Sequence, residues 1–516
     1  MKRFLGIVML CIIAANVMAV PARREGMIRT DANGNEKTVF LHGNEFFHYM
    51  TDENGTWLDE ETLIPLSEEA KQSKMESKKA KAQARRAKAG TGTERLLASR
   101  GAVILVSYKD QAFQQTNEAM TDWAMGDNYT YNGATGSIHR YFWDQSWGQY
   151  DMQIDVYGPV TASKNASYYG SNDWRGDDLH PDELVKEACK LAHDQLGADF
   201  SKYDSNNDGK VDWVVILYAG KGEADGGAST TIWPHQYDLS YTGMSFRLDG
   251  KTVDHYCCLN ELDGQSGTRC GIGTFCHEFS HVMGLPDFYA TTQGATHHTL
   301  CDWDIMDYGP YLNNGNTPPA YSAYERWFMG WIKPVLLNSE ATVTLANLNH
   351  QGGRACYMTE SGDSISDILS PNPSTFYLFE NRQRESWDYF LPGNGLMITK
   401  VQWSEYKWES NTVNNDAYSM GVDIIEAKKN SGYYGSVNDL YPRGATSFTQ
   451  VTNYQVTDIA LENKIITFKV NGGGEAINLD VENIQNSNVK TQKIIENGRV
   501  IILREGQKFD ILGNRL

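Results

Sequence analysis

One stretch, CHEFSHVMGLPDFY at 276–289, constrains this chain more than any other feature. His277 and His281 stand four apart, so on a helix both imidazoles project from one face, as two corners of a tetrahedral zinc site. Glu278 lies beside them, placed to take a proton from a water on that metal. The flanking GIGTF at 271–275 and Val282-Met283 give this helix apolar sides to bury. Gly284 can end it, because glycine turns the chain back at positive φ. Asp287, three residues on, then returns to the same metal as a third ligand. Two other readings stand beside that one. Asp287 can be a turn residue after Pro286, and Glu325, on a helix expected over 320–331, can supply the third ligand instead.

At 516 residues the chain is too long for one ordinary domain. Asp and Glu total 65 against 46 Lys and Arg, a net charge of −19. So acidic a chain has no overall field for nucleic-acid phosphates, and no nucleic-acid partner is expected. With 41% hydrophobic and 22% charged residues it is neither disordered throughout nor a membrane transporter. A basic start, Lys2-Arg3, precedes apolar residues up to small Ala19. Residues 1–19 therefore read as a signal peptide for a secreted or cell-surface protein, with no membrane span after its removal. Cys11 leaves with the signal. Cys189, Cys257, Cys258, Cys270, Cys276, Cys301 and Cys356 remain, an odd set with at least one free thiol. One or two disulfides can brace the zinc segment, or the thiols are simply buried.

The chain divides by pattern. Residues 20–98 read as a propeptide made of a small mixed unit over 20–66, with a strand at 38–41, and a connector from 67 to 90 rich in Lys, Arg and Ala. That connector has no apolar face and reads as a solvated, protease-sensitive linker. Strands are expected at 102–108, 150–157 and 211–218, and a helix at 181–196 with Pro181 in its first turn and Gly197 past its end. This is an α+β catalytic domain over 99–335. Short strands at 341–345, 375–380, 395–402, 422–427 and 465–470 make a β-rich domain over 336–475. Residues 476–516 are a tail containing a hairpin. The tail is similar to those of proteins exported by the type IX route, or else it is the last strand pair of the β-rich domain.

Downstream of the zinc segment stands WDIMDYG at 303–309. It resembles the Met-turn of the metzincins, in which Met306 would form an apolar floor under the ligands. Tyr308 would then lie near the metal and donate a hydrogen bond to the developing oxyanion. Together with AVILVSY at 102–108, GSI at 136–138, DVYGP at 155–159, IWPH at 232–235, MGWI at 329–332, ENRQ at 380–383 and LPG at 391–393, these segments resemble the immune inhibitor A family of secreted bacterial metallopeptidases. The likeness runs in order over roughly residues 100–450. It implies a zinc-dependent endopeptidase with a zincin or metzincin-like fold, made with a propeptide and acting on protein or peptide substrates.

A second metal candidate is DSNNDGKVD at 204–212, where Asp204, Asn206, Asp208 and Asp212 resemble the start of a calcium loop around Gly209. The glutamate that would complete such a loop is replaced by Val215, and an Asn/Asp turn is the alternative, but four oxygen residues at alternating positions exceed what a turn requires, so Ca2+ is expected there. His235 reads as structural, His297-His298 as an exposed pair, and Glu223 as a minor candidate for substrate contact. The expected chemistry is attack by a zinc-activated water on a peptide carbonyl, with Glu278 as general base. The alternatives are a zinc hydrolase of a non-peptide amide bond, or a surface-binding protein with a vestigial site, which the intact Glu278 disfavours. Residues 20–98 are expected to hold the enzyme latent until cut between Lys71 and Arg100. They contain no cysteine, so the block would come from another group, with His48, Asp52 and Asp59 as candidates. The sequence leaves the oligomeric state open.

Overall fold

The computed structural model describes residues 20–479 apart from 32–33, 45–46, 61, 73–98, 174–176, 293–294, 351 and 430–434. It also describes the backbone of the strands at 491–496, 499–504 and 507–509. The signal segment and most of the basic connector lie outside the described residues.

The N-terminal part is a four-stranded antiparallel sheet of β1 (Met27–Thr30), β2 (Glu36–Asn44), β3 (Phe47–Thr51) and β4 (Trp57–Leu58), in that order. So small a sheet has little core of its own. Its apolar residues Val20, Met27, Val39, Leu41, Met50 and Leu63 share one cluster with Ala224 and Trp233 from the next part of the chain.

That next part is built on β5 (Ser99–Ser107), α1 (Asn117–Met125), α2 (Ile138–Gln145), β6 (Met152–Thr161), α3 (Pro181–Leu196), β7 (Val214–Lys221), β8 (His235–Asp238), β9 (Phe246–Leu248), β10 (Lys251–Val253), β11 (His255–Leu262), α4 (Gly273–Val282) and α5 (Ala323–Phe328). Its sheet runs β6-β5-β7-β11-β8. The first four strands are parallel and β8 alone is antiparallel, at the edge. The unbroken apolar run of β5 suits a strand buried on both faces. Helix α3 spans the expected 181–196, with Pro181 at its start and Gly197 left-handed at φ 70°. Two expectations shift. β7 begins only at Val214, because Asp212 is held in the preceding turn by the Ser205 amide. α5 is six residues rather than the twelve of 320–331, since it is preceded by Pro318-Pro319 and starts where Ser322 and Glu325 close a capping box.

Beyond it come β12 (Val335–Leu336), β13 (Ala341–Leu345), β14 (Cys356–Thr359), β15 (Thr375–Arg382), β16 (Gly395–Gln402), β17 (Val422–Ile424), β18 (Val456–Glu462), β19 (Ile465–Val470) and β20 (Glu475–Leu479). They form two sheets, β12-β14-β15-β16-β17 and β18-β19-β13-β20. Along β15 and β16 the side chains alternate between two cores. Phe376, Leu378, Met397 and Val401 pack into the large core around α4. Tyr377, Phe379, Leu396 and Ile398 pack against the second sheet. The period of two thus buries both faces, and the expected boundary at 335–336 is no linker. The last three strands, β21 (Thr491–Glu496), β22 (Arg499–Arg504) and β23 (Gln507–Phe509), pair antiparallel with one another as a separate sheet. The architecture is mixed α+β.

Candidate active site

Helix α4 lies almost wholly inside the molecule, with His277 and Glu278 fully buried and His281 nearly so. Its first residue has to be glycine. A Cβ on Gly273 would sit 2.0 Å from the Pro310 carbonyl oxygen. At its far end Gly284 takes φ 98°, and the Gly284 and Leu285 amides bond back to the His281 and Ser280 carbonyls. This sharp return brings Asp287 beside the two imidazoles.

His277 Nδ1 donates to the Ile305 carbonyl and His281 Nδ1 to the Leu285 carbonyl, each at 2.7 Å. Both Nδ1 atoms thus carry the proton, and both Nε2 atoms turn lone pairs to one point. Nε2 to Nε2 is 3.1 Å, and Asp287 Oδ1 lies 3.2 Å from each. Ligands on a tetrahedral zinc at its usual bond lengths stand about 3.3 Å apart, so the donor set and its spacing fit that ion. Burial lowers the pKa of His277 and so favours the neutral, ligating imidazole. Burial opposes ionisation of Asp287, yet the flanking imidazoles hold its carboxyl well below the usual range.

The WDIMDYG segment lies directly beneath. Its Ile305 carbonyl fixes His277, and its Met306 carbonyl accepts the Phe288 amide at 2.7 Å, one residue after Asp287. Met306 is fully buried. Glu325 is elsewhere. Its carboxylate accepts from the Ser322 amide at 2.5 Å and lies against Asp304; burial and the Asp304 charge push Glu325 up, while burial and neighbouring Asp307 push Asp304 up to about 7. Tyr308 lies under the Arg24 guanidinium, 3.0 Å from its ring centroid.

Asn411 is the residue that sequence reasoning missed. Its amide nitrogen donates to Asp287 Oδ2 at 2.6 Å, and its oxygen accepts the Asp287 amide at 2.7 Å. Asn414 likewise holds the Phe288 carbonyl at 2.7 Å. Both come from the β-rich part, 124 residues away for Asn411, and no local pattern marks them.

The N-terminal segment reaches this centre. The Val20 amide nitrogen donates to Glu278 Oε1 at 2.7 Å. None of the three expected blocking groups does so. Asp52 and Asp59 close turns at Thr56 and Thr62. His48 pairs with Glu223 at 3.0 Å and Glu60 at 3.4 Å, and these carboxylates outweigh its burial and push it up to about 10. Glu223 is therefore buried against the N-terminal sheet.

Asp204 accepts from the Asp208 and Gly209 amides and from Lys251 Nζ at 2.5 Å, so a protein cation already faces it. Asn206 accepts the Asp208 amide, Asp208 accepts the Lys210 amide, and Asp212 accepts from Ser205. These are the bonds of a turn. The side-chain clusters able to hold a metal among the described residues do not include this loop. His235 is buried, bonded to the Trp233 carbonyl, and lowered to about 4 by burial, as a structural residue would be. His297 and His298 are not an exposed pair. His297 meets the Asn414 carbonyl at 2.8 Å and His298 lies 3.6 Å from Asp439. The seven cysteines are all thiols, and burial pushes Cys189, Cys257, Cys258, Cys270, Cys276 and Cys356 up. No disulfide braces the segment among the described residues.

Comparison with known proteins bears on the same region. The description "Immune inhibitor A peptidase M6, catalytic domain" matches residues 94–332. The pre-pro-metalloprotease PrtV of Vibrio cholerae serotype O1 is 30% identical over 230 residues, which is 39% of this chain and 24% of that protein. Immune inhibitor A of Bacillus thuringiensis subsp. alesti is 27% identical over 261 residues, 44% of this chain and 36% of its own length. The chain thus covers about a quarter and about a third of these relatives. The matched span holds His277, Glu278, His281 and Asp287, and residues 94–332 are similar to the catalytic domain of the immune inhibitor A peptidases.

Proposed function

We propose that this protein is an exported zinc endopeptidase with a metzincin-like catalytic domain, held latent by its N-terminal segment. The observation that carries the reading is the convergence of His277 Nε2, His281 Nε2 and Asp287 Oδ1 at 3.1–3.2 Å, with a carboxylate beside them on the same helix. Zinc held there supplies the Lewis acidity that brings the pKa of a coordinated water down to about 7. Glu278 takes the proton of the attacking water and hands it to the leaving nitrogen. Met306 closes the apolar floor under the ligands, and Tyr308 faces the developing oxyanion once Arg24 has left its ring.

Latency follows from the position of Val20. With the signal cut after Ala19, its nitrogen becomes a free amine, and as an ammonium it pairs with the Glu278 carboxylate. The base is then occupied and water is excluded from it. Arg23 on Asp263, Arg29 on the carbonyls of Gly226 and Gly227, and His48 on Glu223 tie the segment down. Release needs a cut in the connector, and the Lys and Arg residues between Lys71 and Arg100 suit trypsin-like or autolytic processing. The separate C-terminal sheet serves as the sorting tail. Among the described residues no helix is long and apolar enough to cross a membrane.

Two measurements test this. N-terminal sequencing of exported protein, with casein cleavage before and after limited trypsin, should give a start at Val20, little activity, and a large rise on cutting. A form that starts at Val20 and is already fully active contradicts latency. Mass-spectrometric mapping of cuts in an unfolded protein should find internal peptide bonds cleaved, and a zinc chelator should stop it. Intact substrate after cutting contradicts the peptidase reading.

A further inference from the structure

We infer that Asp263 and Asp225 form a subsite for a basic side chain on the fourth residue after the bond that is cut. The inference rests on the peptidase reading and deepens it by naming a class of substrate. It starts from the path of residues 20–23. The Val20 nitrogen lies 2.7 Å from Glu278 Oε1. Cleavage of a peptide bond creates a new amine, and that amine must lie within hydrogen-bond reach of the carboxyl that gives it its proton. Val20 therefore stands where the first residue after the cut stands just after reaction.

The segment is held mostly through its main chain, by contacts any sequence can make. Trp233 Nε1 donates to the Val20 carbonyl at 3.1 Å and the Tyr311 hydroxyl to the Pro21 carbonyl at 2.6 Å. The Arg23 amide donates to the Ala224 carbonyl at 2.9 Å. The same path is thus open to a substrate once residues 20–98 have gone.

Arg23 is the fourth residue on this path, and its side chain is where sequence matters. It is 2% exposed. Its guanidinium donates to Asp263 Oδ2 at 2.5 Å and Asn314 Oδ1 at 2.8 Å, and lies 5.8 Å from the Tyr311 ring centroid. Glu25 also accepts from it, at 3.1 Å, but leaves with the same segment. The wall that stays is acidic. Asp263 is held by the Ser266 amide and hydroxyl, both at 2.7 Å. Asp225 accepts the Gly264 amide on Oδ2, while its buried Oδ1 has no hydrogen-bond partner among the described residues. Burial and the neighbouring Asp263 push Asp225 up to about 7. Lys221 spends its ammonium on the Gly264 carbonyl at 2.7 Å. Without Arg23, two buried carboxyls face one pocket, and an incoming arginine or lysine relieves that repulsion.

The test uses the full chain, zinc-loaded and cut within the connector. Quenched-fluorescent peptides share one sequence and carry Arg, Ala or Glu at the fourth position after the cut. A charge-assisted hydrogen bond in a buried site predicts kcat/KM about 10-fold or more higher for Arg than for Ala, with Glu lowest. Asp263→Lys should invert the order of Arg and Glu, and the milder Asp263→Asn should flatten it. Ratios are taken within each enzyme, so an unfolded fraction cancels. Equal rates for the three peptides with the unmodified enzyme overturn the subsite, as does a preference that survives both substitutions. If no peptide and no casein is cut, it is the peptidase reading that fails. Calorimetric binding of Val-Pro-Ala-Arg against Val-Pro-Ala-Ala then decides the subsite alone, equal affinities overturning it.

Discussion

Asp287 depends for its orientation on Asn411, which clamps both its amide and its carboxylate. Outer partners of this kind raise metal affinity, so Asn411→Ala should weaken zinc binding by about 10–100-fold in a chelator competition. Asp287→Ala should cost more, and Glu325→Ala least, because Glu325 belongs to a capping box. The reverse order would move the third ligand to the second helix. The clustering of His277, His281 and Asp287 was legible because their spacing is local, i and i+4 on one helix and then one glycine turn. Asn411 was illegible because its contact depends on how the β-rich part folds back. His48 gives a pH dependence with a definite sign. Docking raises its pKa to about 10 against Glu223 and Glu60. Its contribution to docking is full below the undocked value near 6.5 and fades as pH rises through about 10. The uncut full chain should therefore gain casein activity between pH 7 and 10 faster than a His48→Gln chain does, and parallel profiles would contradict this.

Elements were read well where one signal dominated. The helix 181–196 has a first-turn proline, an apolar stripe and a left-handed Gly197, and all three agree. The strand expected at 211–218 started late because Asp212 serves the turn before it, a polar contact that an apolar run conceals. The same turn leaves the calcium reading without support. Alternating oxygen residues occur equally in a turn that bonds its own amides, and Lys251 supplies the cation from β10, 47 positions away in sequence. Thermal unfolding should therefore show the same midpoint with calcium present and after selective calcium removal. Asp204→Ala should lower that midpoint equally in both conditions. A midpoint several degrees higher with calcium would restore the metal.

At the scale of the whole molecule, the sheet of β15 and β16 is shared between two cores, so the catalytic and β-rich parts are one packed unit. ENRQ at 380–383 shows how. Arg382 is buried between Glu380 and Asp388, at 3.0 and 2.7 Å, and also donates to the Ala320 carbonyl just before α5. Breaking such a pair strands a buried charge, and Arg382→Ala should lower unfolding free energy by about 3–5 kcal/mol in urea titration. A loss below about 1 kcal/mol would mean the two parts are joined elsewhere. The strand pattern marked the run of short strands, but their packing against the preceding part was not visible, since both faces of a strand look alike when both are apolar. Glu278 is the residue on which the proposed chemistry turns. The full chain, zinc-loaded and cut in its connector, should be compared with the same preparation carrying Glu278→Ala, by metal analysis and by mapped cleavage of casein. One zinc per chain in both, with cleavage reduced at least about 100-fold in the variant, is the predicted result. A variant that keeps its zinc and cuts casein at the unmodified rate would contradict the mechanism.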